Sequence, residues 1–507
     1  MAHTDELPPG PDFAQGVPLS SVPASGVLAG RVGNDAVLIA RFDDGLHAVD
    51  GTCTHYGGPL GEGLVVGDEV RCPWHHACFS LRTGRARRGP AFGTLASWRV
   101  DIEGNQVFVR EKGGAAKPST PTPRTPRERI VIVGGGAAAF AAAERLRDLG
   151  HAGSLTMLSA DSDAPYDRPN LSKDYLAGTA PEEWIPLSSD KHYAKRKIDI
   201  RTASKVVAIH PDTREVETRE GERFGYDALL LATGAAPRPL RLPGFDRTNV
   251  FMLRSLADAR AIIAACGNAR SVALIGAGFI GLEAAGALRA RGLDVHVVAP
   301  DSVPFEKPLG AEVGGFIQSL HAAKGVRFHL GEKPASFDGK SLVLESGGHV
   351  DVDFLLVGTG VAPRTTLAEG AGMTIDNGIV VDEYLQTSLP HHYAAGDVAQ
   401  FPLGDEHVRI EHWVHAERMG QAAAANMLGA QQPFDDVPFF WTHHQGVEIR
   451  YCGHAGQWDS VRIDGDLRAQ DFTARYYRGD ALVAAASVGR DLENLEIEAG
   501  LRARFNQ

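Results

Sequence analysis

The chain has 507 residues, 43% of them hydrophobic and 22% charged, with a formal net charge of −12. That length predicts three to four domains with sizeable cores, and the acidic balance argues against nucleic-acid binding. No apolar run reaches the roughly 20 residues of a membrane span, and the first residues lack the basic and apolar regions of a secretory signal. The expectation is therefore a cytoplasmic protein, whose five scattered cysteines point to metal binding or chemistry and not to a disulfide scaffold.

The first predicted elements are strands. Residues 32–50 partly alternate around Asp43-Asp44-Gly45, and residues 97–110 around Glu103-Gly104-Asn105. Both patterns signal hairpins. Helical periods are scarce before residue 110, so 1–112 reads as a small all-β domain. Residues 113–128 are Pro-rich and lack large apolar side chains, which marks a linker. A stretch of this kind extends by about 3.1 Å per residue and leaves the first domain free to move.

From Arg129 a β-branched run ends in glycines and passes into an Ala-rich helical stretch; the order recurs at 271–292. The two glycine fingerprints begin at Gly134 and Gly276, and each is followed by a Thr-Gly-x-x-Pro-Arg turn, at Thr233–Arg238 and Thr359–Arg364. Two internally similar nucleotide-binding folds are the economical reading. One α/β Rossmann-like domain spans 129–253 and resumes at 365–432, around a second at 254–364. Aromatic-rich strands after residue 432 predict a small α+β domain over 433–507.

Two short motifs lie in the all-β part: Cys53-Thr54-His55 and Cys72-Pro73-Trp74-His75. Two cysteines and two histidines suit structural zinc, but zinc fingers usually run C-x₂₋₄-C then H-x₃₋₅-H. The surroundings, CTHYGGPL and CPWHHACF, resemble Rieske [2Fe–2S] loops. The resemblance implies that Cys53 and Cys72 bind one iron and His55 and His75 the other. Gly58 and Trp74 stand where high-potential Rieske proteins carry a disulfide, which implies the ferredoxin-like branch. His76 replaces a usual glycine and is expected not to ligate. Cys78 reads as a small buried residue. Arg82, Arg85, Arg87 and Arg88 read as a solvated face, with a dock for an acidic redox partner as the alternative.

In the first fingerprint, Gly134 and Gly136 suit a pyrophosphate on a helix N-terminus, with Ala139 in the third slot. Asp161 is the candidate ribose acid, with Asp163 competing. The run Pro165–Lys173, with both fingerprints, resembles the ferredoxin reductases of oxygenase systems and the apoptosis-inducing factors; Asn170 departs from their common form. The resemblance implies that Arg168 and Lys173 lie beside FAD, where a cation stabilises an anionic reduced flavin. It also implies that Gly276, Gly278 and Gly281 bind NADH or NADPH, and that Glu283 pairs with Lys173; these two are the candidate catalytic residues. Ala299 fills the slot that usually separates NAD from NADP. Asp301 follows and no arginine does, which favours NADH. Thr233, Gly234 and Gly360 count among the cofactor-binding residues. Asp397 is expected on the ribityl chain. Trp413 and Trp441 are expected to line the flavin, with core packing as the alternative reading. No cysteine occurs in 134–265, and Cys266 and Cys452 are solitary, so a disulfide-reductase mechanism lacks its nucleophile.

The whole order is similar to the Rieske-containing branch of the apoptosis-inducing-factor-like proteins. The resemblance implies electron flow from NAD(P)H through FAD to the [2Fe–2S] centre. The final acceptor would be an oxygenase, a ferredoxin, a cytochrome or a quinone. The alternative is an NADH-responsive redox sensor. A terminal Rieske oxygenase is disfavoured, because no two-His-one-carboxylate site is evident. Monomer and homodimer both remain open.

Overall fold

A computed structural model describes residues 7–114 and 127–505, so most of the predicted linker lies outside the described residues. The chain forms two compact units. One comprises Met1–Thr122, Asp148–Gly150 and Arg490–Arg504, and the other comprises Pro123–Arg147, His151–Gly489 and Phe505–Gln507.

The first unit holds a six-stranded antiparallel sheet and a four-stranded one. Both predicted hairpins form. Asp35–Phe42 pairs with Gly45–Asp50, and Ser97–Glu103 pairs with Gln106–Lys112. Gly45 sits at φ 129°, a conformation open to glycine and strained for other residues. Strand Asp35–Phe42 reads as a continuous apolar run, and the structure shows why. Val37 and Ile39 enter one core while Leu38 and Ala40 enter another, so both faces are covered. The four-stranded sheet carries the second cysteine motif: Cys72 follows strand Glu69–Arg71, and Cys78 opens strand Cys78–Ser80.

The helix Asp491–Phe505 differs from the sequence reading, which grouped it with 433–507. Residues 490–504 cluster instead with the N-terminal unit. Leu495, Leu501, Asn494 and Glu498 are buried. A pattern search sees only a helix after a strand; it cannot see that a polar Glu498 is an inward-facing residue with a partner.

The second unit contains both dinucleotide folds. In the first, five parallel strands run in the order Asp199–Arg201, Ser154–Leu158, Arg129–Val133, Ala228–Leu231, His392–Ala394. The last arrives after the second fold has been completed, as the nested boundaries predict. The second sheet runs Val250–Met252, Phe354–Val357, Ser271–Ile275, Asp294–Ala299, Arg327–Leu330, also parallel. The repeated turns pair with each other. Ala235–Pro237 and Val361–Pro363 form an antiparallel ribbon. Arg238 donates its N–H to Gly360 O and Arg364 its own to Gly234 O, each at 2.9 Å. Thr233 Oγ donates to Arg364 O, and Thr359 Oγ to Arg238 O. The symmetry extends to Asp227 and Asp353, which accept backbone N–H groups where the two equivalent strands begin. Five antiparallel strands between Phe439 and Val488 complete the unit. Among the described residues no helix is long and apolar enough to cross a membrane.

Candidate functional site

The two cysteine loops close in the same way. Cys53 N–H reaches Gly58 O and Gly57 N–H returns to Cys53 O; Cys72 N–H reaches Ala77 O and His76 N–H returns to Cys72 O. The fifth residue of each loop is left-handed: Gly57 at φ 81° and His76 at φ 57°. This folding brings the four predicted ligands together as two pairs. The buried Cys53 and Cys72 thiols hydrogen-bond each other, which together with burial raises the Cys53 pKa. His55 Nδ1 and His75 Nδ1 face each other at 3.2 Å. Burial pushes the His55 imidazole below its ordinary value and keeps it in the neutral, ligating form. Among the described residues no three such side chains converge on one point. A sulfur pair beside a nitrogen pair is the donor set of a two-iron cluster with unlike irons, and the residues present fit it. A Cβ on Gly58 would lie 2.7 Å from Cys72 Sγ and 3.1 Å from the Trp74 ring, so the packing demands glycine there.

His76 does not join the ligands. Its fully buried ring is bound through Nδ1 to Glu498 Oε2 at 2.6 Å. Nor is the arginine cluster a uniformly basic face. Arg82 bonds Asp44, Arg87 reaches Asp68 and Glu69, and Arg88 donates to Cys78 Sγ.

In the second unit, a cavity of about 1060 Å³ opens beyond the ends of the parallel strands, where α/β folds bind their ligands. Gly134, Gly136, Asp161, Arg168, Lys173, Thr233, Gly234, Gly278, Gly281, Glu283, Gly360, Asp397, Trp413 and Trp441 all line it. The helices Ala137–Asp148 and Phe279–Ala290 begin at its wall with no acidic residue in their first turns. Gly278 leaves the second helix without a side-chain cap, and a Cβ there would meet nothing within 4 Å. Such open N–H groups suit a diphosphate.

Two predicted cofactor residues lie outside the lining. Ala139 is fully buried, and its small side chain serves close packing. Gly276, at φ 109°, faces Gly358 O, which an added Cβ would approach to 2.4 Å. Of the competing acids, the structure brings in Asp161, which accepts from Tyr166 OH at 2.7 Å. Asp163 instead pairs with Arg260.

Lys173 and Glu283 meet as predicted, Nζ to Oε2 at 2.7 Å, with Glu283 buried. Sequence reasoning missed their company. Ser172 Oγ donates to Glu283 Oε2 and Thr442 Oγ to Oε1, each at 2.6 Å. It also missed Arg254, which pairs with Asp397 Oδ2 at 2.6 Å, and the lining residue Arg364. Burial, then the charges of Arg254 and Arg168, pull the Arg364 pKa down. These arginines and Lys173 make the wall electropositive, as an anionic ligand requires. Ser172 lies beside Lys173 in a recognised run and was within reach; nothing local marks Arg254 or Arg364. His412 stacks on Phe440 at 4.2 Å, and burial lowers its pKa to about 4, so that ring adds no charge to the lining.

Fold and geometry define a two-dinucleotide flavoprotein reductase joined to a Rieske-type cluster domain. The chain belongs to the pyridine nucleotide-disulphide oxidoreductase family, which it matches over residues 128–420, and it also matches the Rieske [2Fe–2S] domain over 17–99 and the reductase C-terminal domain over 439–500. It is 34% identical over 482 residues to apoptosis-inducing factor 3 of Homo sapiens, covering 91% of this chain and 79% of that protein. It is 36% identical to the ferredoxin–NAD(+) reductase component of the anthranilate 1,2-dioxygenase system of Burkholderia cepacia, covering 72% of this chain and 92% of that one. Among solved structures it resembles the reductase in the covalent putidaredoxin reductase–putidaredoxin complex. The TM-score is 0.71 and the identity 31%, covering 74% of this chain and 93% of that one. The family binds FAD and NAD(P)H, and the Rieske domain a [2Fe–2S] cluster. No disulfide joins the described cysteines, and the family's redox-active pair is absent from 134–265.

Proposed function

We propose that this chain takes electron pairs from NAD(P)H and passes them one at a time, through its Rieske centre, to a small external redox protein of the ferredoxin or oxygenase class. The observation that carries this reading is the coexistence of the sulfur-pair and nitrogen-pair loops with a cleft holding the Lys173–Glu283 pair. When bound, FAD accepts hydride and gives up electrons singly, while a Rieske cluster carries one electron at a time.

The chain's own residues prepare the site. The N-terminus of helix Ala137–Asp148, with Gly134, Gly136 and Arg168, would hold the FAD diphosphate. Asp161 would take its ribose. Asp397, fixed by Arg254, would take the ribityl chain. Trp413 and Trp441 would flank the ring system, with Thr233 and Gly234 behind it. Gly278, Gly281 and Gly360 would receive the nicotinamide dinucleotide. NADH is preferred, because Ala299 and Asp301 are followed by no arginine for a 2′-phosphate. Lys173 holds positive charge where negative charge develops, and Glu283 fixes the ammonium in place. The absence of disulfides fits a cytoplasmic location.

An anaerobic NADH titration tests the reading. Two electrons for FAD and one for the cluster require about 1.5 equivalents per chain, and Cys72→Ser requires about one. A chain purified anaerobically with stoichiometric zinc, and taking one equivalent before and after the substitution, would overturn it. Substitution is preferable to deletion of 1–128, since deletion would strip the packing from Leu495 and Leu501 of the last helix.

A further inference from the structure

Glu283 stands at one end of a chain of hydrogen bonds that the reductase reading leaves unused. Thr442 Oγ–H donates to Glu283 Oε1 at 2.6 Å. Since the hydroxyl has one proton, its oxygen accepts from His444 Nε2–H at 3.1 Å. His444 then carries no proton on Nδ1, which accepts from His321 Nε2–H at 3.1 Å. His321 Nδ1 in turn accepts from the Gln445 amide at 3.2 Å. His444 and His321 are fully buried, and Gln445 lies half-exposed in the turn between strands Phe439–His444 and Val447–Gly453. The path thus runs from the buried carboxylate to the surface in four contacts.

Burial, then the charges of His321, Lys173 and His443, hold the His444 pKa well below its ordinary value. Burial, then His443, pulls His321 down to about 4. Both rings are therefore neutral at physiological pH. A neutral imidazole can accept on one nitrogen and give from the other, and here both nitrogens of both rings are engaged. On helix Phe279–Ala290 the wall of this path is Gly286. A Cβ there would lie 3.2 Å from Gln445 Nε2 and 3.6 Å from His321 Cε1.

We propose that Thr442, His444 and His321 form a proton path joining Glu283 to solvent at Gln445. It rests on the reading of the chain as an NAD(P)H oxidoreductase. The balance of that reaction demands an exit: NADH + 2 A(oxidised) → NAD⁺ + H⁺ + 2 A(reduced). Hydride arrives with its electrons, the two electrons leave singly, and one proton stays behind in a site where Glu283 is only 7% exposed. In the outward passage a proton on Glu283 Oε1 moves to Thr442 Oγ. Thr442 gives its own to His444 Nε2, His444 Nδ1–H passes to His321 Nε2, and His321 Nδ1–H leaves beside Gln445. The donors then all point toward Glu283, which is the arrangement observed. Before the next passage the hydroxyl turns and each ring returns from the Nε2–H to the Nδ1–H tautomer, giving up the Nε2 proton and taking one on Nδ1.

The test uses the full-length holoenzyme and His444→Gln, whose amide keeps hydrogen bonds but passes no proton. Anaerobic flavin reduction by NADH needs no proton exit and should stay within about twofold. Reoxidation by ferricyanide, and proton release followed with an indicator dye, should slow tenfold or more. Gly286→Ala, which crowds the outer end, should slow the same step; it serves where His444→Gln loses FAD. Independently of turnover, ¹⁵N NMR of histidine-labelled protein should show both rings as neutral Nε2–H tautomers at pH 7. Unchanged reoxidation and proton release in both variants, or an imidazolium at His444 or His321 at pH 7, would overturn the path. A protein that NADH does not reduce at all would instead overturn the oxidoreductase reading.

Discussion

Replacing His76 by glycine should weaken the cluster unit although it relieves the backbone. His76 occupies the loop position that Gly57 fills in the first loop, at φ 57° against 81°. A left-handed non-glycine residue costs about 1 kcal/mol, which glycine would return. Against this stands the contact with Glu498, 2.6 Å long between side chains exposed by 0% and 2%. Losing a buried hydrogen bond to a carboxylate costs about 1.5–3 kcal/mol, so His76→Gly should be destabilising by about 0.5–2 kcal/mol net. Glu498→Gln removes the charge but keeps an acceptor, and should cost about 1–2 kcal/mol. In the double variant the shared hydrogen bond is lost only once, so its loss should fall short of the sum by about 1 kcal/mol, or about fivefold in rate. The assay is the anaerobic rate at which urea bleaches the cluster's visible circular dichroism, with the flavin signal as internal control. A double variant whose loss equals the sum within about 0.5 kcal/mol would refute the coupling. It would leave the helix Asp491–Phe505 as a bystander to the cluster loop.

Two further outcomes follow from the same kind of geometry. Gly58→Ala places a Cβ 2.7 Å from Cys72 Sγ; the protein should purify with full FAD but well under half its iron and sulfide, and full iron content would show that the loop can yield. Asp227 tests the start of the first dinucleotide fold by pH. Burial raises its pKa, but the Arg129 guanidinium and the Arg129 and Glu128 N–H groups outweigh that and hold it below the usual value of 3.8. A depressed folded pKa gives stability that is complete above the unfolded value and is lost as pH falls through the folded one. The melting temperature of the wild type should therefore exceed that of Asp227→Asn at pH 7 and converge on it below pH ~4; a difference unchanged down to pH 3 would remove the carboxylate from the argument.

Local chemistry made much of this molecule legible from its sequence. The glycine fingerprints and the hairpin turns each state a backbone requirement within a few residues, and the structure meets it; the Cys-x-His and Cys-x-x-His pairs come together as a sulfur pair and a nitrogen pair. The repeated Thr-Gly-x-x-Pro-Arg turns were visible as a repeat, but not as a ribbon in which each turn completes the other's hydrogen bonds. Illegible features were those whose cause lies far along the chain. Ala139 and Gly276 fit a cofactor pattern, yet their smallness answers to helix packing and to Gly358 O. Arg254 is an ordinary residue before a helix until Asp397 is placed 2.6 Å away.

The buried histidines show the same limit most sharply. Taken singly, His321 on a helix, and His444 on a strand, each read as a core residue that has found a partner. Only the fold reveals that each is the other's partner and that Thr442 joins the pair to Glu283. Glu283 was predicted to pair with Lys173, and both line the cofactor cavity. Once that cavity is filled, the pair alone holds a charge in place but gives a proton no exit. The extra bonds to Thr442 and onward supply one, using neutral side chains that add no charge to the electropositive wall. The same carboxylate can therefore fix the ammonium through Oε2 and exchange a proton through Oε1, two tasks divided between its two oxygens by the helical turn that carries Ser172 and Lys173 and the strand that carries Thr442.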